Sequence, residues 1–543
     1  MSTSPIPDPI AAGLAAGWQM TDCATLQREL TLEADVVVIG SGAGGGVTAE
    51  ILAQAGLAVL IVEEGALHSS RDFKMREADA YPALYQESAA RKTRDKAINI
   101  LQGRTVGGST TVNWTSSFRT PPDTLAYWQR QHALSGYTVA SMAPWFAMME
   151  QRLQIGDWPV PPNENNDLLR RGAQALGILT AAIRRNVNGC WNLGYCGMGC
   201  PTNAKQSMLV TTIPGALALG ARLLTHARAE RFVLQGDRVA SLQVAAMDAH
   251  GLAPTGVLVT LRARHYVLAG GAINSPALLL RSKAPDPHQL LGKRTFLHPT
   301  VISASLFAQR VDAYAGAPQT IYTDHFLHAQ PIDGAIGYKL EAPPLHPLLM
   351  ATTMGGFGDA HAHTMRQFPH VHGLLALLRD GFHADAPGGS VTLDRNGAAL
   401  LDYPLTPFIW DGVRRALLSM AEIQFAAGAQ SVYPVHELAQ HYTSWHQARQ
   451  AIEALPMKAP LTRVVSAHVM GGCAMSDDER LGVTDGHGRY RGLANLSVHD
   501  GSLFPTSLGA NPQLTIYALA ARLASALAQQ LAGQPAKAAG VAA

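Results

Sequence analysis

The chain of 543 residues is poor in three things. Cysteine is the first: there are five, and three of them fall within CWNLGYCGMGC, Cys190 to Cys200. Charge is the second. Asp, Glu, Lys and Arg make up 15% of the residues and the net charge is +2, while 47% are hydrophobic. Such a composition speaks against disorder and gives no reason to expect a nucleic-acid partner. Long apolar runs are the third: none is long enough to span a bilayer. The opening stretch MSTSPIPDPIAAGLAAGWQMTD has neither the basic start nor the apolar core of a secretory signal. These absences predict a soluble cytoplasmic protein without a transmembrane segment, in which thiols stay reduced. For Cys190, Cys196 and Cys200 they leave a metal-binding loop or a packed loop of free thiols, with a disulfide the least favoured alternative.

What is present begins with length, which calls for at least two domains or lobes. The 51 glycines predict many turns and close backbone approaches. The most readable segment is DVVVIGSGAGGGVTAEILAQAGLAVLIVEEG, Asp35 to Gly65. Asp35–Ile39 reads as a buried parallel strand, Thr48–Ala55 as a helix and Leu57–Val62 as a second strand. Gly40, Gly42 and Gly45 between the first two elements satisfy G-x-G-x-x-G. Glycines there let the backbone approach a pyrophosphate, and a helix N-terminus offers it unpaired N–H groups. An acid at the end of the second strand can accept from ribose hydroxyls; Glu63 is the better placed and Glu64 the fallback. The pattern indicates dinucleotide binding without separating FAD from NAD.

Three further motifs follow. GRTVGGSTTVN, Gly103 to Asn113, is glycine-rich but has no lysine in the P-loop position; Gly107, Gly108 and Ser109 would let main chain lie against a flat ring. HYVLAGGAINSPALLLRS, His265 to Ser282, repeats the strand–glycine–helix form, with Asn274 or Ser275 as cap and Pro276 in the first turn. Near the C-terminus come SAHVMGGCAM and NLSVHDGSLFPTSLGANPQLTIYALAARLASAL. The latter holds an acidic turn at Asp500–Gly501, and Pro512 opens a long amphipathic helix.

Together these segments resemble the glucose–methanol–choline (GMC) family of FAD-dependent oxidoreductases from about Asp35 to about Leu527. GRTVGGSTTVN matches the family's first signature. GAINSPALLL matches the first half of the second, whose usual ending is replaced by Lys283-Ala284-Pro285-Asp286. The C-terminal motifs also resemble cholesterol oxidase, and LHP (297–299), KLEAPPLHPLL (339–349) and the cysteine loop resemble long-chain fatty alcohol oxidases. The resemblance implies an α/β protein with an α+β substrate lobe: a Rossmann-like FAD-binding domain assembled from discontinuous segments, plus a sheet-containing substrate-binding domain. FAD-domain pieces are expected at 1–120, 190–300 and 461–535, and substrate-domain pieces at 121–189 and 301–460.

By the same resemblance the cofactor is FAD, with Asn113, Ala229 (through its main chain, at the adenine), Asp500, Gly501 and Pro512 joining the glycine loops around it. Oxidising an alcohol removes a hydroxyl proton and a hydride from the carbinol. The resemblance assigns His468 as the base and Asn511 as the residue orienting the alcohol oxygen. Pro512 would aim a helix N-terminus at the charge of reduced flavin. His499 is the rival base, expected near the phosphates or ribityl chain, and His298 a structural or cavity-lining residue. The HAH and HVH pairs at 361–363 and 370–372 suit no common structural zinc spacing. Some membrane-associated sugar dehydrogenases of the family carry a three-iron cluster near the position of the cysteine loop, so a [3Fe-4S] cluster on Cys190, Cys196 and Cys200 stands beside the packed-thiol reading.

The expected substrate is a small-molecule alcohol of hydrophobic or long-chain character, partly because LEAPPLHPLLM (340–350) offers little charge. The electron acceptor would be oxygen, a quinone or a cytochrome. A sugar or sterol dehydrogenase is the competing reading, and a hydroxynitrile lyase on the same fold is the alternative of another class.

Overall fold

The computed structural model describes residues 6–533. Residues 1–5 of the first expected segment and 534–535 of the last lie outside the described residues.

The first sheet takes its strands from three separated stretches of chain. Its order is Gln19–Asp22, Arg222–Thr225, Val59–Val62, Leu30–Ile39, Pro254–Leu268, Arg238–Met247 and Ala227–Gln235, with Leu496–Val498 also paired to Pro254–Leu268. Val36 to Ile39 run parallel to Val59 to Val62 on one side and to His265 to Leu268 on the other. Side chains at Val36, Val37 and Val38 are fully buried, as a central parallel strand covered on both faces requires. The strand is longer than the β-branched run predicts, because Leu30 to Ala34 continue the pairing along Val259 to Ala263.

The helix after this strand starts at Ala43, five residues before the predicted Thr48, so Gly44, Gly45 and Gly46 form its first turn while Gly40 and Gly42 remain in the turn before it. It packs against the C-terminal helix Gln513–Ala532, which ends at Gly533 in the left-handed conformation. The first half of that last helix is buried nearly all round, and its second half is amphipathic, exposing Ala526, Gln529 and Gln530 opposite buried Leu523, Ala524, Leu527 and Ala528. The helix after Pro254–Leu268 also begins early, at Gly271. Neither Asn274 nor Ser275 caps it, and Pro276 lies in its interior; Ser275 instead donates to Asp500.

The second sheet is mainly antiparallel, in the order Ile98–Ile100, Val464–Ser466, Thr300–Leu306, Val371–Leu378, Tyr338–Glu341, Ile321–Thr323 and Ala181–Ala182, with Ser431–Pro434 on Thr300–Leu306. One of its faces is covered by the helix Pro407–Ala426, started by Thr406, whose hydroxyl accepts from the Ile409 N–H. A four-stranded sheet, Ala399–Asp402, Gly389–Leu393, Lys293–Phe296 and Met470–Gly471, is interleaved in sequence with the strands of the second. His468 sits in the short link between Val464–Ser466 of the second sheet and Met470–Gly471 of this one. No helix among the described residues is long and apolar enough to cross a membrane.

Candidate active site

A cavity of about 550 Å³ is lined at one end by the C-terminal ends of the parallel strands, at Ile39, Val62 and Leu268, and at the other by His468, Asn511 and Gln319. Its size is within the range of cofactor and ligand sites, roughly 300–1,000 Å³.

The first end is made of backbone. Gly40, Gly42, Gly103 and Gly108 line it, as do Ser109 and Glu63. A Cβ on Gly108 would stand 2.8 Å from the Gly42 Cα, so the two glycine loops abut because neither carries a side chain. Gly42 precedes the Ala43–Gln54 helix with no side-chain cap, leaving the first-turn N–H groups free for a ligand. Gly45 and Gly107 do not line the cavity. Gly45 packs against the Gly40 carbonyl, and Gly107, at φ +86°, turns the second loop and donates to Ser41 Oγ. Both shape the cradle from behind.

Glu63 accepts from Ser41 N at 3.1 Å, Ser41 Oγ at 2.5 Å and Gly65 N at 2.9 Å. Burial pushes its pKa up against these bonds. Three bonds leave about one of the carboxylate's roughly four acceptor positions for a ribose hydroxyl. Glu64 also lines the cavity. Ala229 is in the wall, its carbonyl accepting from Arg281 Nη2 at 3.1 Å. Asp500 ties the cradle together: one oxygen accepts from Gly271 N and Ser275 Oγ, the other from Ser502 N. Gly501 and Pro512 line the wall, and Asn113 donates to Gln513 Oε1 at 2.7 Å. The donor set and the side-chain-free cradle fit a dinucleotide. Sequence reasoning missed Arg91, a buried guanidinium in this wall bonded to Gln102 Oε1 and Asn274 Oδ1.

The other end is made of side chains. His468 Nδ1 lies 3.2 Å from His298 Nδ1, and Gly509 N–H donates to His298 Nε2 at 3.0 Å. The occupied Nε2 lone pair puts the proton of neutral His298 on Nδ1, making it the donor to His468. Asp380 holds this corner by accepting from the N–H groups of Leu297 and His298 and from Tyr403 Oη. Desolvation, then the Lys339 charge, pushes the His468 pKa down to about 3, so the ring is neutral near pH 7. Asn511 Oδ1 accepts from Lys339 Nζ at 2.5 Å. His499 does not line the cavity; its Nδ1 pairs with Thr48 Oγ1 at 3.0 Å, and its carbonyl packs against Gly44 of the cradle.

The cysteine loop corrects two alternatives. All five cysteines are free thiols. Among the described residues no three metal-ligating side chains gather to hold an ion, so neither an iron–sulfur cluster on Cys190, Cys196 and Cys200 nor a metal at the histidine pairs fits. The loop has two buried cations beneath it instead. Lys205 Nζ donates to the carbonyls of Thr111, Asn113 and Cys196, and Arg185 Nη2 approaches Cys196 Sγ at 3.9 Å. Spacing alone gave three cysteines in eleven residues; the half-buried chain turns them onto this packed loop.

The family models described as GMC oxidoreductase match residues 81–300 and 386–520. The chain belongs to the GMC oxidoreductase family. This GMC protein is 31% identical to an uncharacterized GMC-type oxidoreductase of Sinorhizobium fredii over 92% of its own length and 96% of the relative's. It is 26% identical to a long-chain-alcohol oxidase of Arabidopsis thaliana, covering 92% of this chain and 67% of that one. A solved formate oxidase from Aspergillus oryzae superposes with a TM-score of 0.65 at 14% identity, over 92% of this chain and 98% of that one, which is a likeness of fold. The protein is an FAD-dependent oxidoreductase.

Proposed function

We propose that this GMC oxidoreductase oxidises the CH–OH group of a hydrophobic or long-chain alcohol to an aldehyde or ketone, with His468 as base, Asn511 orienting the alcohol oxygen and oxygen as the electron acceptor. The observation that carries the reading is that His468 and Asn511 line the same cavity as the two glycine loops. The name of the long-chain-alcohol oxidase relative supports the substrate class and the acceptor.

The glycine cradle, the uncapped helix start at Gly42, Glu63 and Ala229 would hold FAD, whose chemistry is to accept the two electrons of the carbinol. Pro512 and Gln513 bring the N-terminus of the last helix to the cavity, favouring negative charge there. His468 meets the hydroxyl through Nε2, since Nδ1 is engaged by His298. As packed, the neutral pair keeps its proton on that Nε2. To take the hydroxyl proton it must pass into the other tautomer, with His468 Nδ1–H donating to His298 Nδ1. This forfeits the Gly509 bond, a cost of about 1–3 kcal/mol for an orphaned buried N–H. That is small beside the contribution of general-base catalysis and proximity together.

The test is anaerobic: the purified yellow protein is titrated with a panel of alcohols and its visible absorbance followed. Bleaching by a long-chain alcohol, with turnover lowered about 10²–10⁴-fold in His468→Ala at unchanged FAD content, is the expected result. No bleaching by any alcohol would point to redox-silent chemistry such as that of a lyase, and near-normal turnover in His468→Ala would remove His468 as the base.

A further inference from the structure

The strand Tyr338–Glu341 carries a lysine and a glutamate into the middle of the second sheet. Lys339 is 2% exposed and Glu341 fully buried. Lys339 Nζ lies 2.9 Å from Glu341 Oε1 and 2.5 Å from Asn511 Oδ1, and 3.4 Å from the centre of the Phe118 ring. Glu341 Oε2 accepts from Gln319 Nε2 at 2.6 Å and faces Asn511 Nδ2 at 3.4 Å. Gln319 and Asn511 line the cavity; Lys339 and Glu341 stand behind them.

Stability alone does not explain this pair. Two buried charges pay desolvation that their attraction only partly returns, and well-packed apolar residues of similar volume hold a sheet at least as well. What the pair does fix is a direction. An asparagine amide has two ends of nearly equal shape and opposite hydrogen-bonding sense. An ammonium only donates, so Lys339 claims Oδ1. An ionised carboxylate only accepts, so Glu341 draws Nδ2. Asn511 is left one free N–H to turn to the cavity.

We infer that Lys339 and Glu341 are positioning residues that hold the Asn511 amide with its N–H, and never its carbonyl, toward the substrate oxygen. The inference rests on the proposed reading of Asn511 as the residue orienting an alcohol. An oxygen that accepts from Asn511 must give its own proton to another group, which is the task assigned to His468. Lys339 also faces His468 and disfavours its protonation. The other titratable or charged groups at this corner are His298 against the His468 ring, Glu341 behind Lys339, and Asp380 and Arg379 around His298.

The test removes both charges together, in Lys339→Met/Glu341→Leu, so that no lone buried ion remains. The expected protein binds FAD and melts near the wild-type temperature, but alcohol reduces it about 10²-fold more slowly, the loss typical of a misplaced reacting group. Its acid limb in the pH–rate profile moves to higher pH, because His468 has lost the nearby cation. A double variant that holds FAD, melts normally and turns over alcohol at the wild-type rate overturns the inference. Should it not fold, the isosteric Glu341→Gln poses the same question, since its amide can donate to Asn511 and release the orientation: kcat at least tenfold down with FAD retained supports the inference, and unchanged kcat overturns it. A wild-type protein that no alcohol bleaches refutes the alcohol reading, and the inference with it, in an arm separate from the variants.

Discussion

The two ends of the cavity are built from different materials. The end proposed for the dinucleotide is main chain: abutting glycine loops, an uncapped helix start and a carboxylate held by backbone N–H groups. The end proposed for the alcohol is side chains from widely separated positions: His298, Lys339, Glu341, Asp380, His468 and Asn511. A backbone cradle fails by steric intrusion, abruptly and as a whole. A side-chain network fails one proton or one hydrogen bond at a time.

That contrast can be broken or sharpened by substitution. The largest effect is expected at Gly44, where a Cβ would drive into the carbonyl oxygen of His499. Gly44→Ala should yield protein without bound FAD, or insoluble protein, measured by visible absorbance per mole; a yellow, active variant would show that the cradle yields more readily than its packing implies. A graded effect is expected at His298, which sits at φ +44° beneath His468. Asn tolerates that left-handed backbone and offers an oxygen to the His468 Nδ1–H. Turnover of His298→Asn should therefore stay within about tenfold of wild type while His298→Leu, which offers no acceptor, falls about 10²-fold. Equal losses in both would mean that His298 does not set the His468 tautomer. The smallest effect is expected outside the cavity: Cys196→Ser should leave FAD content and turnover within about twofold of wild type, and iron analysis of the wild-type protein should find none bound stoichiometrically. A Cys196→Ser protein that loses visible absorbance would restore the loop as a redox site.

Legibility followed the same division. The G-x-G-x-x-G turn is local, so Gly40, Gly42 and Glu63 could be placed from spacing and a hydrophobic run, although the helix start was put five residues late because glycines read as loop. His468 and Asn511 were legible only through family resemblance, since one histidine and one asparagine have no spacing of their own. LEAPPLHPLLM (340–350) offers little charge in the sequence, yet its Glu341 and the preceding Lys339 are a buried ion pair in the second sheet. Pattern reading places lysine and glutamate outside, and only a partner from another strand or loop reverses that. The cysteine loop leaves two readings open in sequence: close spacing allows shared ligation, but ligation needs converging side chains, and among the described residues these do not converge on one ion, so the loop of free thiols is the reading that fits.

The amino-acid order alone carries the first βαβ unit and the dinucleotide class of the cofactor, because glycine loops and strand ends act over a few residues and leave a local pattern; the family is legible in it through the resemblance of several such motifs. Only the tertiary structure decided which way the Asn511 amide faces and where the proton of the His298–His468 pair resides. Those depend on donors and acceptors that the second sheet and the Gly509 turn bring within about 3 Å of one another, a matter of hydrogen-bond reach that no spacing along the chain encodes.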